Sequence, residues 1–429
     1  MLEVKMLTEG ADAPEPLDAK GYLARGGYKA LGKALGMEPR EIVAEIKAAR
    51  LLGRGGAAYP AGNKWEQLLG IEGSTKHIVC NADEGEPGTF KDRFIMERVP
   101  FRLIEGMTVA GRVFGSGTGY VYVRGEYRSV QRGFMKALES AREANLLGRD
   151  ILGSGFGFDI AVVSGAGAYV CGENSALLNS AQGLAGRPRI KPPHLAEVGL
   201  FGAPTLVNNV ETFANVPSIV VMGGKAFLEA GHPESGGTKL VCLSGHVARP
   251  GVYEVPLGSV TLRDAVFSPE LGGGMKGGKK LKFLHLGGQS GPVAGPALLD
   301  TVYSYADLRK AGLAVGSGAV VAADESVRLI DYLEGVARFF VRESCGKCGP
   351  CRDGNPAVLK FLQGLTVPGG TGRGALKALW ELSELMTQGS FCGLGRTATA
   401  ALRSAWKAFP EEIERNALRD SASAGSFKD

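Results

Sequence analysis

Apolar positions along the chain follow first one period and then another. Between Met37 and Leu52 they fall at helical spacing (Ile42, Val43, Ile46, Ala49), with Glu41 and Glu45 near the start. That helix must stop near Gly53, because Gly53-Arg-Gly-Gly-Ala-Ala-Tyr-Pro-Ala-Gly62 suits neither helix nor strand. A short helix is predicted from Lys64. Strand and helix patterns then alternate: strand at His77–Cys80, helix at Arg102–Val113, strand at Tyr120–Val123, helix at Val130–Ala144, strand at Phe158–Val163 and helix at Glu173–Ser180. Polar or glycine-rich loops follow the strands, Asn81–Gly88 and Ser164–Ala168 among them. This alternation predicts a mostly parallel sheet with helices on its faces. Ligands bind such sheets at the carboxyl ends of the strands.

From Gly236 the texture changes. Lys239–Ser244 and Gly251–Val255 read as strands around an Ala248–Gly251 turn, Val260–Val266 as a short helix and Leu281–Leu286 as a strand. No residue group in this unit looks catalytic. From Ser326 the period is helical again (Leu329, Ile330, Leu333, Val336, Ala337, Phe340, Val341), and it recurs at Leu376–Met386 and Thr397–Phe409. The expected organisation is an N-terminal arm and helix (1–50), an α/β unit (51–235), a small α+β unit (236–325) and a helical bundle (326–429). The polar tail after Asn416 is expected to fray.

Composition narrows the class. Hydrophobic residues at 44% and charged residues at 22% suit a folded core. The 65 glycines among 429 residues show no Gly-X-Y period, so they are assigned to folded loops where backbone approaches something closely. A net charge of +5, scattered along the chain, carries no nucleic-acid signature. The longest apolar runs, such as Pro217–Met222, fall far short of the ~20 residues of a membrane span. Residues 1–20 lack an apolar secretory core, which points to a cytoplasmic protein.

Seven cysteines, an odd number, argue against a disulfide framework. Cys345-Gly-Lys-Cys348-Gly-Pro-Cys351 spaces three thiolates to wrap one face of a 4Fe-4S cube, and Cys392 can close it. Structural zinc is the alternative, although zinc sites more often pair two C-x2-C units. Lys347 and Arg352 place positive charge beside an anionic cluster. The glycine loops 53–62 and 164–172 could cradle phosphate or flavin with backbone N–H groups, or be ordinary turns. Asn81, Asp83, Glu84 and Glu86 form an acidic loop at a strand end, able to bind ribose or ring N–H groups, or simply solvated. Asn208, Asn209 and Thr212, taken alone, read as a helix N-cap. His77, His194, His232, His246 and His285 show no metal-type spacing.

Five motifs in one order turn these fragments into a resemblance: Gly53-Arg-Gly-Gly-Ala-Ala-Tyr-Pro, Cys80-Asn-Ala-Asp-Glu-Gly-Glu-Pro-Gly-Thr-Phe-Lys-Asp92, Gly167-Ala-Tyr-Val-Cys-Gly-Glu173, Asn208-Asn-Val-Glu-Thr212 and Glu343-Ser-Cys-Gly-Lys-Cys-Gly-Pro-Cys-Arg352. Over about residues 20–420 the chain resembles the flavin- and NADH-binding 51 kDa (F) subunit of respiratory complex I. It is also similar to the related diaphorase subunits of NAD(P)-linked hydrogenases and formate dehydrogenases. The resemblance implies a Rossmann-like FMN and NAD(P)H domain, a ubiquitin-like (β-grasp) middle domain and a bundle with one 4Fe-4S cluster. It implies FMN contacts from Gly53, Arg54, Gly55, Lys64, Asn81, Asp83, Glu84, Gly172, Glu173, Asn208, Asn209 and Thr212. It places the dinucleotide near Tyr59, Glu86, Asn174 and Lys191, and the cluster on Cys345, Cys348, Cys351 and Cys392. Implied partners are a thioredoxin-like 2Fe-2S subunit and a larger Fe-S subunit, with no nucleic acid and no membrane span of its own.

The implied activity is electron input: hydride from NAD(P)H to FMN, then single electrons to the cluster and the partner subunits. The rivals are the diaphorase of a soluble hydrogenase, formate dehydrogenase or transhydrogenase, and a non-catalytic Fe-S scaffold. Three positions depart from the family pattern. Asn174 replaces a second glutamate, and Gln67 and His194 replace phenylalanines near the adenine. A carboxylate beside the adenosine ribose repels a 2′-phosphate, so its loss at Asn174 removes a barrier to NADPH. Steady-state kinetics with both cofactors should show relaxed selectivity, and Asn174→Glu should sharpen it. A preference for NADH above ~1000-fold in the unaltered protein would sink this reading.

Overall fold

The computed structural model describes residues 2–16, 18–73, 75–365 and 372–417. The tail expected to fray lies outside the described residues from 418 onward. The α/β unit is built on four parallel strands, β1 (His77–Ala82), β2 (Thr118–Val123), β3 (Asp159–Ser164) and β4 (Thr205–Asn209), in the order β3-β2-β1-β4. β1 is central because Ile78, Val79 and Cys80 are apolar in succession and can be buried on both faces. Helices Pro100–Phe114, Arg128–Glu143 and Val210–Met222 pack around this sheet.

Among the elements that the sequence pattern does not show are β4 and a helix beside it. β4 has only five residues and ends in two asparagines, which strands disfavour; pairing with β1 supplies the strand. Helix Lys91–Arg98 buries Lys91 and Asp92 beside Ile95 and Met96, so its inward face does not look apolar. Elsewhere the ends moved. The helix expected over Met37–Leu52 spans Pro39–Ala48, the one expected from Lys64 starts at Ala61, and Glu173 caps Asn174–Ala181 rather than lying inside it.

Helices Pro100–Phe114 and Val210–Met222 cross in unusually close contact. Pro217 has no N–H to return to the carbonyl of Phe213, four residues earlier. Gly106 packs on that carbonyl, and a Cβ there would come to 2.0 Å from the oxygen.

The second sheet contains β5 (Thr238–Gly245), β6 (Gly251–Pro256), β7 (Leu281–Leu286), β8 (Val293–Ala294) and β9 (Ala319–Asp324), in the order β6-β5-β9-β7-β8. β9 lies parallel to β5 and the other pairs are antiparallel. A hairpin, a covering helix (Leu262–Phe267) and a last strand inserted beside the first give the ubiquitin-like arrangement. The N-terminal arm covers the β6 edge: Val4 N donates to Glu254 O at 2.9 Å, and the buried Glu254 carboxylate accepts from Leu7 N (2.8 Å) and Thr8 N (2.9 Å). This shields an otherwise unpaired strand edge.

The C-terminal region is helical, with Leu329–Glu343, Gly349–Gly364, Gly372–Gly389, Ala400–Ala408 and Pro410–Ala417. The cysteine motif runs into Gly349–Gly364, a helix the sequence pattern did not single out because the run Arg352–Asn355 and then Pro356 interrupt its apolar positions. The bundle core (Leu333, Phe340, Val358, Met386) is continuous with Val79 and Tyr122 of the parallel sheet. Among the described residues no helix is long and apolar enough to cross a membrane.

Gly106→Ala should destabilise the protein by roughly 1–3 kcal/mol through forced helix separation. Gly133→Ala, with nothing within 4 Å of the added carbon, should be neutral or stabilising by up to about 1 kcal/mol. Paired thermal melts check both.

Candidate functional site

The strand order reverses between β1 and β4, and the register sets Asn81 beside Asn209 at the carboxyl end of that junction. In open parallel sheets this switch point is where a crevice opens for ligand. Three loops converge on it. The 53–60 loop closes on itself through Gly53 N to Tyr59 O (2.9 Å), and a Cβ on Gly55 would lie 3.0 Å from the Asn209 Cβ. The 81–86 loop continues β1. The 172–174 segment is tied to it by Asn81 Nδ2, which donates to Gly172 O (2.9 Å) and Asn174 Oδ1 (3.1 Å).

The structure brings all the predicted flavin residues to this crevice, but it turns several away from any ligand. The Arg54 guanidinium is buried and donates to Ser235 Oγ (3.3 Å) and Gly236 O (2.7 Å) in the linker to the second sheet. Its backbone N–H goes to Thr212 Oγ1 at 2.9 Å. Glu84 caps the helix Lys91–Arg98, accepting from Asp92 N (2.8 Å) and Arg93 N (3.0 Å). The Asn208 amide, in its satisfied orientation, pairs with Trp65 Nε1 (2.9 Å) and Val207 O. Asn209 caps Val210–Met222 through Glu211 N and donates to Asp92 Oδ2 (2.6 Å). Arg54, Glu84, Asn208, Asn209 and Thr212 therefore hold the walls rather than present free side chains.

Two groups in the crevice are left wanting. The Lys64 ammonium is buried, with Val207 O (3.1 Å) and the face of Tyr59 (5.8 Å) as its neighbours and no carboxylate among the described residues. Burial, then the like charge of Lys191, pulls its pKa down to about 8. Asp83 is the converse: burial, opposed by Arg124 and reinforced by Glu126 and Glu343, pushes its carboxyl up to about 7. Its Oδ2 is buried without a donor. A ligand with an anionic group for one and an N–H for the other relieves both.

The predicted dinucleotide residues separate into two groups. Glu86 lines a cavity of about 250 Å³ with Asp83, Arg124, Tyr169, Phe339 and Glu343. Glu173 caps its helix and accepts from Lys191 Nζ at 3.2 Å, while Asn174 is engaged by Asn81. Tyr59 is half-exposed beside Gln67 (3.4 Å), and His194 is exposed, its backbone N–H on Glu197.

Cys345, Cys348, Cys351 and Cys392 face one small cavity with Pro188 and Leu394. Cys348 is the N-cap of Gly349–Gly364 and Cys351 lies in its first turn, where the helix dipole favours an anionic cluster. Asn355 Nδ2 donates to Cys351 Sγ (3.3 Å) and Phe391 N to Cys348 Sγ (3.5 Å). Lys347 reaches Pro188 O (2.5 Å) over the Phe391 ring, whereas Arg352 is paired with exposed Asp353. No three His, Cys, Asp or Glu side chains among the described residues are placed to share one metal ion. Zinc would need its sulfurs about 2.3 Å from a single ion. Four cysteine thiols around one cavity are the donor set that a 4Fe-4S cube takes.

Behind the crevice lies a group that sequence reasoning missed. Glu211, buried, accepts from Lys239 Nζ (2.5 Å) and Leu240 N (3.0 Å) and pairs with Lys91 (3.2 Å). Burial opposes its charge, but Lys239, Lys91 and Arg54 outweigh it and hold its pKa below the ordinary value. Lys91 and Glu211 lie inside two of the five motifs, and that was the available signal.

Residues 46–218 match the Nuo51 FMN-binding domain, and residues 331–416 match the NADH-ubiquinone oxidoreductase-F iron-sulfur binding region. The chain is 44% identical to the F 2 subunit of the NADH-quinone oxidoreductase of Rhizobium meliloti, over 95% of this chain and 96% of that one. It is 40% identical to the F subunit of the NADH-quinone oxidoreductase of Escherichia coli (94% and 90%). It is also 40% identical to the HndC subunit of the NADP-reducing hydrogenase of Solidesulfovibrio fructosivorans (96% and 83%). A solved NAD+-reducing NiFe hydrogenase in its H2-reduced state aligns with a TM-score of 0.82 at 32% identity, over 96% of this chain and 67% of that one.

In ligand-free protein, Asp83→Asn should raise the Tm more at pH 8 than at pH 5. The folded state keeps the Asp83 proton up to about pH 7, whereas the unfolded chain loses it near pH 4. The penalty for burying the carboxyl therefore grows across that window and is complete above it.

Proposed function

Because the chain belongs to the family of the F (51 kDa) flavoprotein subunit of NADH-quinone oxidoreductases, we propose that its switch-point crevice is the electron-input site of a multi-subunit complex. The observation that carries this reading is the shared wall of the 250 Å³ cavity. One side is the acidic loop at Asp83 and Glu86, and the other is Phe339 and Glu343, at the end of the helix that leads into Cys345. The donor pocket and the cluster helix thus meet without an intervening element.

A bound flavin supplies the exchange of a two-electron hydride for single electrons. The chain's residues bind and orient. Gly53 and Gly55 would allow close backbone approach of a flavin, Lys64 would offer it a positive charge, and Asn81, Asp83, Gly172 and Glu173 would border it. Arg54, Glu84, Asn208, Asn209 and Thr212 brace these loops from behind. Tyr59, Glu86, Asn174 and Lys191 meet the dinucleotide, and the four cysteines hold the cluster. On this reading residues 51–235 form the flavin unit, 236–325 the ubiquitin-like unit and 326–429 the cluster bundle, after the arm and helix of 1–50. Partners are a thioredoxin-like 2Fe-2S subunit and a larger Fe-S subunit, and contact with a membrane from the cytoplasm runs through them.

The diaphorase of a soluble hydrogenase is the second reading, favoured by the similarity to HndC and to the hydrogenase structure. The scaffold reading rests only on Gln67, Asn174 and His194; Asn174 accepts from Asn81, Gln67 donates to Tyr59 and His194 is exposed, and none of these contacts favours that reading.

Anaerobic titration of the purified chain with NADH, then NADPH, should bleach the flavin absorbance and develop a cluster EPR signal. Cys392→Ser should lose the EPR signal and keep the bleaching. Bleaching by neither cofactor would overturn the proposed function.

A further inference from the structure

The glycine-rich segment 287–291 of the second unit belongs to neither the flavin crevice nor the cysteine cage. It leaves β7, reaches across to the acidic loop and returns to β8. There Ser290 N donates to Glu86 Oε1 at 3.2 Å, and Ser290 Oγ donates to Oε2 at 2.9 Å. The Tyr169 hydroxyl donates to the same Oε2 at 2.6 Å. Gly288 lies so close that a Cβ would come to 2.1 Å from the Glu86 Cγ, and its φ of +95° is one that glycine alone adopts without strain.

The loop is itself fixed from beneath. Ser317 Oγ donates to Gly287 O (3.0 Å), so the hydroxyl of Thr89, 2.5 Å away, donates to Ser317. The contact of His285 Nε2 with Gly291 O (3.0 Å) requires the hydrogen on that nitrogen. Nδ1 then accepts from the Tyr332 hydroxyl at 2.8 Å. Burial lowers the His285 pKa to about 4, so this bond pattern persists through neutral pH. A Cβ at Gly291 would meet Leu286 O at 1.7 Å, which leaves no space for any other residue.

A loop held at both ends, delivering two donors to one buried carboxylate, does more than join two units. Without those donors Glu86 could swing through several rotamers, and it would present its charge to the cavity only part of the time. We propose that Ser290, presented over Gly288, is a positioning residue for dinucleotide binding: it fixes Glu86 so that the carboxylate meets a hydrogen-bond donor of the incoming nicotinamide dinucleotide. The ubiquitin-like unit thereby braces one wall of the substrate pocket from outside it. This rests on the reading of that cavity as the dinucleotide site.

A double-mutant cycle tests it on the full chain with flavin and cluster bound. Ser290→Ala, Glu86→Gln and the double variant are compared by KM and kcat for NADH and by calorimetric Kd for NAD+. Ser290→Ala should raise KM and Kd about three- to tenfold with kcat within about twofold and flavin content unchanged. In the Glu86→Gln background it should have no further effect, because Ser290 acts only through Glu86. Unchanged KM and Kd in Glu86→Gln would overturn the dinucleotide reading of the cavity and this inference with it. An impaired Glu86→Gln with an unaffected Ser290→Ala, or with additive effects in the double variant, would overturn the role of Ser290 alone. Loss of flavin from Ser290→Ala would do the same, since the serine would then be holding the fold.

Discussion

One buried carboxylate organises the crevice. Glu211 sits in the first turn of the helix after β4, and it is reached by Lys91 from beyond the acidic loop and by Lys239 from the second sheet. Asp92 and Asn209 join through Lys91, and the charge of Arg54 reinforces the group. The 53–60 loop, the helix after the acidic loop, the end of β4 and the second sheet thus each have a side chain in this group. Buried ion pairs are poor stabilisers, and removing one partner leaves a charge whose exposure to a low dielectric costs about 3–5 kcal/mol. What they supply is direction. The walls are loops rather than helices or strands, and apolar contact alone would let them slide. A shared carboxylate with several donors fixes the segments that carry those donors at one distance from each other.

The contrast between this group and the crevice in front of it marks the site. Behind, the ammonium groups of Lys91 and Lys239 both have Glu211 as partner. In front, Lys64 has an ammonium without a carboxylate, and Asp83 has a buried oxygen without a donor. A fold that satisfies one set of charges so fully does not leave its neighbours unsatisfied by accident, because each unsatisfied polar group costs about 1–3 kcal/mol. The local rule is broken where a ligand restores it.

The sequence made some of this legible and hid the rest for identifiable reasons. Helix Pro100–Phe114 and strands β1 to β3 declare themselves by periodicity, because they bury continuous apolar faces. The thiolate spacing of Cys345, Cys348 and Cys351 is visible because a cluster constrains its ligands locally. β4 was invisible because its strand character comes from its neighbour. The side-chain directions of Arg54, Glu84 and Asn208 were not legible for a different reason. A motif gives position along the chain but not the direction of a side chain, and a residue that caps a helix behind a ligand sits in the same motif as one that touches it. Ser290 carried no signal at all, since its partner Glu86 is about two hundred positions away.

The glycines extend the same argument. Some, such as Gly133 and Gly335, face open space and explain nothing about packing. Others mark places where backbone meets backbone: an added Cβ would come to 2.0 Å from Phe213 O at Gly106 and 2.5 Å from the Gly287 Cα at Gly316, each within one unit, and to 2.2 Å from Glu45 O at Gly224 and 2.4 Å from Ala49 O at Gly236, where later units meet the N-terminal helix. Side chains at such junctions would hold the units apart and let them rotate through alternative rotamers. Bare backbone allows fewer arrangements, and interiors packed at this density transmit displacement rather than absorb it. Electron input asks for that property, because a donor pocket, a flavin crevice and a cluster cage must keep fixed separations while charge moves among them. The glycine content of this chain therefore reflects the rigidity between its units as much as the openness of its binding loops.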